Sequence, residues 1–387
     1  MHHPLSVITD PPPASEMASR LNAVRTSMDE QNLDCYVSFD PVNIYYLTNF
    51  ANYVHERPFI LLLGKQGTPQ MLAPRLELSH VESRARCPLE YVTYDEFPAL
   101  PGGNWYDVYP SLLPQRARIG IEAAMPVGIA SRTPGHVVID IIDEVRIIKS
   151  DYEIGRIAHA CGIVDMGHAM LLRLCRPGVL EGTIFSTVNG AMMKQILTDI
   201  PNANFTVTKS MAAVWPPAIS HDPHRIPSLA DPMERGGPHV SIVTAQVDGY
   251  GVELERTFFL DEIPDDSREP FDVMFQARAR AFEMLRPGQD MAAIDAAVRQ
   301  VIAESGYEAC ILHRTGHGLG ITGHEAPFIA IGEERELKRG MVVSIEPGIY
   351  REGLGGFRHS DTVLVTDDGH LNLTHAPDEL EELLVES

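Results

Sequence analysis

Three segments near the end of the chain decide the fold: 313-HRTGHGLGITGHEAP-327, 340-GMVVSIEPGIY-350 and 355-GGFRHSDTVLVTDDG-369. They contain, in order, a Gly-His-Gly with a second histidine seven residues later, a Glu-Pro-Gly, and a Gly-Gly-Phe-Arg before a final strand pattern. One short motif of this kind is weak evidence, but three in a fixed order are specific. Histidines and a glutamate in such motifs are typical of a catalytic or metal site.

The chain is large and acidic. Its 387 residues exceed the size at which one core usually stops growing, so two domains are expected. The formal net charge of −22 disfavours nucleic acid and anionic membranes as partners. Five cysteines without Cys-x-x-Cys spacing indicate buried thiols rather than disulfides or a zinc site. Neither a signal segment nor a membrane-spanning apolar run is visible, so we predict a cytoplasmic protein.

Periodicity places the segments within a larger pattern. Residues from about 16 to 146 alternate helix and strand patterns, and a long amphipathic helix follows over 149–178, where Pro177 and Gly178 end it. Asp248-Gly249 joins two strand patterns and predicts a hairpin. Two further helices are predicted at 268–286 and 291–305.

The three C-terminal segments resemble those of the pita-bread family, which includes methionine aminopeptidase, aminopeptidase P, prolidase and creatinase. The resemblance covers nearly the whole chain. It implies an α+β protein with a creatinase-like N-terminal domain over residues 1–147 and a pita-bread catalytic domain over residues 148–387. The catalytic domain is expected to contain a strongly curved antiparallel sheet with helices on its convex side.

The same resemblance implies where metal ligands should lie. Peptidases of the family hold two metal ions with five side chains, whose places here are Ile242, Glu253, His317, Glu346 and Ser360. Isoleucine and a neutral serine cannot replace the two missing carboxylates, so two ions would lack the negative charge they need. We therefore predict no cofactor. The alternative is one divalent metal ion on Glu253, His317 and Glu346, because three protein ligands suffice for a catalytic ion.

The strand segment 254-LERT-257 resembles creatinase, which uses this fold without metal. Carried over by that match, Glu255 and Glu346 correspond to creatinase glutamates that grip a cationic guanidinium. Residues two apart on a strand share a face, so Glu253 and Glu255 should point into the same pocket. Carboxylates that face each other without a metal need a cation between them, which predicts an amidine or amine substrate.

Histidines near neutral pH can relay protons in such a reaction. The segment 221-HDPHRIP-227 resembles the creatinase His-x-Pro segment, and His224 is preferred over His221 because it also fits a His-x-x-Pro pattern. The predicted catalytic residues are His224, Glu255, His317, His324 and Glu346. The predicted substrate-binding residues are Glu253 and Arg358, with Tyr53, His55 and Arg57 from 52-NYVHERPF-59, which dimeric relatives would bring to a neighbour's pocket.

These observations lead to three functional hypotheses. The first is a homodimeric, metal-independent C–N hydrolase of the creatinase type that acts on a small cationic amidine, cyclic amidine or amide compound. The second is a metal-dependent Xaa-Pro dipeptidase or aminopeptidase, and the third is an inactive pita-bread binding module. Structural alternatives also stand for single residues: Glu255 could pair with Arg256, and Arg358 could balance Glu346.

Overall fold

The computed structural model describes residues 6–387, which form two compact units. One unit is Asp10–Arg146, and the other is Ile147–Ser387 with the described residues before Asp10. Helices and strands alternate in the first unit, and the second combines long helices with antiparallel strands, so the predicted α+β class is confirmed. Within residues 6–387, no helix is long and apolar enough to cross a membrane.

The N-terminal unit is built on a six-stranded mixed sheet with strand order β4-β3-β2-β1-β5-β6. Its core is apolar and lies between the sheet and its helices. Its elements are α1 (Ala14–Glu30), β1 (Cys35–Ser38), α2 (Pro41–Thr48), β2 (Ile60–Gly64), β3 (Gln70–Pro74), α3 (Leu78–Arg84), β4 (Glu90–Tyr94), α4 (Trp105–Leu112), β5 (Ile119–Ile121), α5 (Val127–Ala130), β6 (His136–Val138) and α6 (Ile141–Arg146).

The C-terminal unit contains a four-stranded sheet of order β17-β9-β8-β7, a five-stranded sheet of order β11-β10-β12-β15-β16 and the pair β13-β14. Its elements are α7 (Asp151–Leu174), α8 (Glu181–Asp199), β7 (Lys209–Trp215), β8 (Gly236–Val247), β9 (Tyr250–Leu260), α9 (Asp265–Met284), α10 (Met291–Glu304), β10 (Gly316–Gly318), β11 (Glu325–Ile329), β12 (Val342–Ile345), β13 (Gly348–Arg351), β14 (Gly355–Arg358), β15 (Asp361–Val365), β16 (His370–Asn372) and β17 (Leu384–Val385).

Local chemistry explains where the main elements of this unit begin and turn. The side chain of Ser150 accepts from the backbone of Glu153, whose carboxylate accepts in return, so a capping box starts α7. Asp248 and Gly249 have φ values of 47° and 100°, as the tight turn between β8 and β9 requires. The hairpin predicted at this dipeptide is therefore present.

A backbone bridge links the four-stranded sheet of this unit to the segment that leads into the five-stranded sheet. Glu255 of β9 pairs with Ser360, which lies between β14 and β15, and each residue's N–H donates to the other's carbonyl oxygen. Behind this bridge, Asp361 is fully buried and bonds Arg256 of β9 at 2.8 Å and Arg278 of α9 at 2.6 Å. The ion pairs fix the strand ends from which the site is built.

Candidate metal centre

A pocket of about 710 Å³ lies in the C-terminal unit, and its two walls differ in chemistry. The apolar wall comes from α8, β7, β8 and the segment that joins β7 to β8, and it includes Phe185, Met211, Trp215, Ile226, Leu229 and Ile242. The charged wall includes Glu253, Glu255, His313, Arg314, His324, Glu346 and Arg358. The pocket therefore suits a small molecule with an apolar part next to a polar reacting group.

His317, the middle residue of β10, is buried beneath the charged wall. Its Nδ1 lies 3.1 Å from the backbone oxygen of Gly318, so Nδ1–H donates there and Nε2 faces two carboxylates. Nε2 lies 3.4 Å from Glu253 Oε1 and 3.3 Å from Glu346 Oε1, and it makes no hydrogen bond within the described part of the chain. One ring nitrogen held by a carbonyl and the other aimed at acidic oxygens is typical of a metal-ligating histidine.

Glycine on both sides of His317 lets β10 pass close to its neighbours. A Cβ on Gly316 would overlap the backbone oxygen of Ser344 on β12. One on Gly318 would overlap the backbone oxygen of Ala326 on β11. No other residue fits these two positions, which gives the Gly-His-Gly motif a physical cause.

The Glu253 carboxylate is held by two hydroxyls, one from β12 and one from the segment between β14 and β15. Its Oε1 accepts from Ser344 Oγ of β12 at 2.5 Å and from Ser360 Oγ at 3.0 Å. Burial raises the pKa of Glu253, but hydrogen bonding and the charge of His317 outweigh this and lower it to about 2. Glu253 is therefore an anion at neutral pH, ready to ligate a cation.

Glu255 is paired with an arginine of the same chain. Arg358 Nε lies 2.6 Å from Glu255 Oε2, and its Nη2 donates to Oε1 at 2.8 Å, with both side chains buried. Nη1 of the same guanidinium donates to the Tyr350 hydroxyl at 3.3 Å, and that hydroxyl lies 2.8 Å from His313 Nε2. Burial raises the pKa of the Glu255 carboxyl, and the Arg358 guanidinium offsets part of that rise.

Of the structural alternatives raised for these residues, the ion pair between Glu255 and Arg256 is not formed. Glu255 pairs with Arg358, and the side chain of Arg256 instead bonds Asp361. Arg358 contacts Glu255 directly, whereas Glu346 raises the pKa of Arg358 only through its charge.

The remaining predicted histidines lie at different depths. The His324 ring stacks on that of His317 with centroids 3.8 Å apart, and burial followed by the His317 charge lowers the His324 pKa. Burial also lowers the pKa of His317, but the carboxylates of Glu253 and Glu346 beside Nε2 raise it to about 10. His224 is exposed and lines the pocket, whereas His221 is not among the described lining residues.

The structure places Tyr53, His55 and Arg57 in the N-terminal unit, between α2 and β2. Tyr53 is 60 % exposed. Arg57 Nη1 lies 3.2 Å from Glu96 Oε2, and the Arg57 backbone N–H donates to His55 Nδ1 at 3.0 Å.

Sequence reasoning missed several residues of the site, namely Ser344, His313, Tyr350 and Arg314. Ser344 stands two residues before Glu346, and Tyr350 four residues after it, so proximity to the Glu-Pro-Gly motif was the available signal. Neither distance in sequence reveals that Ser344 reaches a carboxylate on β9.

The ligand atoms of the site suit one metal ion and not two. Ligand atoms of Glu253, His317 and His324 all lie within 4.8 Å of one another, and Glu346 contacts the same His317 nitrogen. An unbonded imidazole nitrogen between two carboxylates fits one divalent cation. Two ions do not fit, because Ile242 offers no ligand atom and the Ser360 hydroxyl is committed to Glu253.

Fold and site together define a hydrolase of the metallopeptidase class. Residues 155–367 match metallopeptidase family M24, and residues 20–148 match the creatinase/prolidase N-terminal domain. The chain belongs to family M24. The predicted family, its two-domain pita-bread architecture and the enzyme class, a hydrolase of C–N bonds, are thereby confirmed.

Similar proteins share nearly the full length of the chain. The Xaa-Pro dipeptidase of Pyrococcus furiosus is 28 % identical over 372 residues, which cover 94 % of this chain and 100 % of that protein. The probable dipeptidase PepE of Mycobacterium tuberculosis is 29 % identical over 383 residues, covering 95 % and 96 %. The prolidase structure from Pyrococcus horikoshii superimposes with a TM-score of 0.81 at 26 % identity and covers 94 % of this chain and 99 % of that one.

These findings overturn two expectations. The prediction of a metal-independent hydrolase of cationic amidines is wrong, because the relatives are named Xaa-Pro dipeptidases and prolidases. The physical reason is visible at Glu255, whose positive partner is Arg358 of the same chain rather than a cationic substrate. The prediction of no cofactor is also wrong, because the family is one of metallopeptidases and a group of ligand atoms is present.

Proposed function

We propose that this protein is a metal-dependent Xaa-Pro dipeptidase that holds one divalent ion with Glu253, His317 and Glu346. The observation that carries this proposal is the buried Nε2 of His317, which faces a carboxylate oxygen on either side at 3.4 Å and 3.3 Å. The names of the full-length relatives support the substrate class. An ion at this place would supply a Lewis acid for the peptide carbonyl and would lower the pKa of a bound water.

The chain's own residues account for substrate binding and proton transfer. The apolar wall offers Phe185 and Trp215 to a proline ring. The pKa of His324 is lowered, so its ring is neutral at pH 7. It lies on the pocket, where it can accept a proton from the attacking water and pass it to the leaving nitrogen. His224, at the rim of the same pocket, is the second candidate for this transfer.

Arg314 is the cation best placed for the substrate's C-terminal carboxylate. Arg358 is occupied by Glu255, whereas Arg314 lines the pocket and has no carboxylate partner among residues 6–387. Its Nε donates to the Gly316 carbonyl at 3.2 Å, which holds the guanidinium near the site. Carboxylate recognition by a guanidinium is charge-assisted and geometrically specific.

The test is a dipeptide panel assayed before and after metal removal. Chelated protein should be inactive, and Mn²⁺ or Co²⁺ should restore hydrolysis of Ala-Pro and Leu-Pro but not of Pro-Leu. Glu346→Gln should abolish restoration, whereas Glu352→Gln, at an exposed turn, serves as the matched control. Activity that survives chelation, or no hydrolysis of any Xaa-Pro dipeptide with metal, would refute the proposal.

We also propose a homodimer in which the loop with Tyr53, His55 and Arg57 completes the partner's pocket. Two-fold dimers are the commonest soluble assembly, and the exposed aromatic Tyr53 is suited to an interface. Light scattering gives the mass. Mixing Arg57→Ala subunits with Glu346→Gln subunits should restore some activity through one intact composite site, and a lack of restoration in proven heterodimers would contradict the shared pocket.

For its setting, we propose a cytoplasmic enzyme that acts on small molecules, without nucleic-acid or membrane partners, and with its domain boundary near residue 147. The five cysteines are unpaired in the structure, and the formal net charge is −22. Unpaired thiols suit a reducing compartment, and the charge repels anionic polymers. Cell fractionation checks the location, and recovery of the protein in a membrane or secreted fraction would contradict it.

A further inference from the structure

Two buried hydroxyls converge on one oxygen of Glu253. Ser344 and Ser360 are both fully buried, and their oxygens lie 3.0 Å apart. Each hydroxyl has one hydrogen, so both can donate to Oε1 at the same time. Oε1 is also the Glu253 oxygen that lies 3.4 Å from His317 Nε2, so the two hydroxyls hold the oxygen that faces the histidine.

The residues around these hydroxyls lack the carboxylate ligands that a second ion would need. Ile242 of β8 faces Glu255 in the strand register and lines the pocket with an apolar side chain. Ser360 is neutral, and its hydroxyl donates its one hydrogen to Glu253 Oε1. A buried carboxylate that loses an adjacent cation needs hydrogen bonds in its place, and Ser344 and Ser360 provide them.

We propose that Ser344 and Ser360 stand in for a second metal ion and restrict the centre to a single one. They act as positioning residues, because they hold the Glu253 carboxylate beside the His317 nitrogen that would bind the one ion. This inference rests on the proposed function. Partners of this kind orient a ligand before the ion arrives, and their loss weakens ion binding without removing a ligand atom.

The test measures Mn²⁺ binding to the full chain by equilibrium dialysis with elemental analysis. The natural protein should bind one Mn²⁺, and Ser344→Ala and Ser360→Ala should each raise the Kd about 10-fold while stoichiometry stays at one. Thr362→Val is the matched control, because its buried hydroxyl donates to the backbone oxygen of Glu253 at 3.0 Å and does not touch the carboxylate. Its Kd should stay within about twofold of the natural value.

The outcomes separate the two claims. Two Mn²⁺ per chain in the natural protein would overturn the inference and the single ion of the proposed function, but would leave the dipeptidase activity standing. An unchanged Kd in the folded Ser344→Ala/Ser360→Ala double variant would overturn the inference alone. Absence of Mn²⁺ binding in the natural protein would overturn both. Stoichiometry of the natural protein tests the single-ion claim even where an alanine variant does not fold, as judged by circular dichroism.

Discussion

Asp361→Asn is expected to destabilise the C-terminal unit more than any surface substitution. The Asp361 carboxylate is fully buried and pairs with two guanidinium groups, of which Arg278 also reaches Asp378 at 3.2 Å. Arg256 Nη2 lies 2.8 Å from Oδ1, and Arg278 Nη2 lies 2.6 Å from Oδ2. Asparagine has the same shape, but it removes the charge and turns an amide donor toward one arginine.

The expected loss in free energy of unfolding follows from the two buried arginine charges that the substitution leaves without Asp361. Arg256 is 1 % exposed and Arg278 is 7 % exposed, so neither charge can recover its hydration without local unfolding. Removing one partner of a buried ion pair costs about 3–5 kcal/mol, whereas exposed pairs are worth about 0–1 kcal/mol. Asp367→Asn is the matched control, because Asp367 pairs with Arg339 at 3.0 Å and both side chains are exposed.

The assay is urea unfolding in a Trp105→Phe background, which leaves Trp215 as the fluorescent reporter of the C-terminal unit. Burial raises the pKa of Asp361, but Arg256 and Arg278 outweigh it and hold the pKa below the ordinary value of 3.8. The ion pairs therefore contribute stability above the unfolded pKa, and this is lost as pH falls through the lower folded pKa. The difference in free energy of unfolding between the natural protein and the variant should therefore become smaller in acid. A loss below about 1 kcal/mol at pH 7 would refute the reasoning.

Three further predictions concern the pocket. Ile242→Asp with Ser360→Glu should raise Mn²⁺ stoichiometry from one to two by elemental analysis, because it supplies the two missing carboxylates; a folded double variant with one ion would contradict this. Arg314→Ala should raise KM for Leu-Pro about 10-fold and leave KM for Leu-Pro-amide within twofold, because only the free dipeptide has a carboxylate to bind. Equal effects on both substrates would dismiss this role. Glu255→Gln should lower the free energy of unfolding by about 3 kcal/mol, because Arg358 stays buried without its counter-charge, and a loss no larger than that of Glu352→Gln would reject the pair as a stabilising contact.

Much of the fold could be predicted from the sequence because its signals are local. The second long helix pattern, predicted at 268–286, is α9 at Asp265–Met284, and the next, predicted at 291–305, is α10 at Met291–Glu304. Hydrophobic spacing, proline and glycine act on their immediate neighbours, so they report helices and turns with small errors at the ends. Alternation along strands likewise predicted that Glu253 and Glu255 line one pocket.

The function was predicted less well, and Glu255 shows why. A glutamate beside Arg256 in the sequence suggested either an adjacent ion pair or an unpaired anion awaiting a cationic substrate. The structure instead brings Arg358, more than a hundred residues away, within 2.6 Å of it. No local pattern encodes which distant charge meets a carboxylate, because that depends on how β14 packs against β9.

The sequence by itself determined the two-domain fold, the places of Glu253, His317 and Glu346, and the loss of carboxylates at Ile242 and Ser360. Tertiary structure alone decided which side chains compensate the two buried carboxylates of β9. The hydroxyls of Ser344 and Ser360 bond Glu253, and the Arg358 guanidinium pairs with Glu255. Ligand types follow from motifs because each is a property of one residue. Charge compensation is a property of several strands at once, since it depends on distance and burial that exist only after the sheets have closed around the site.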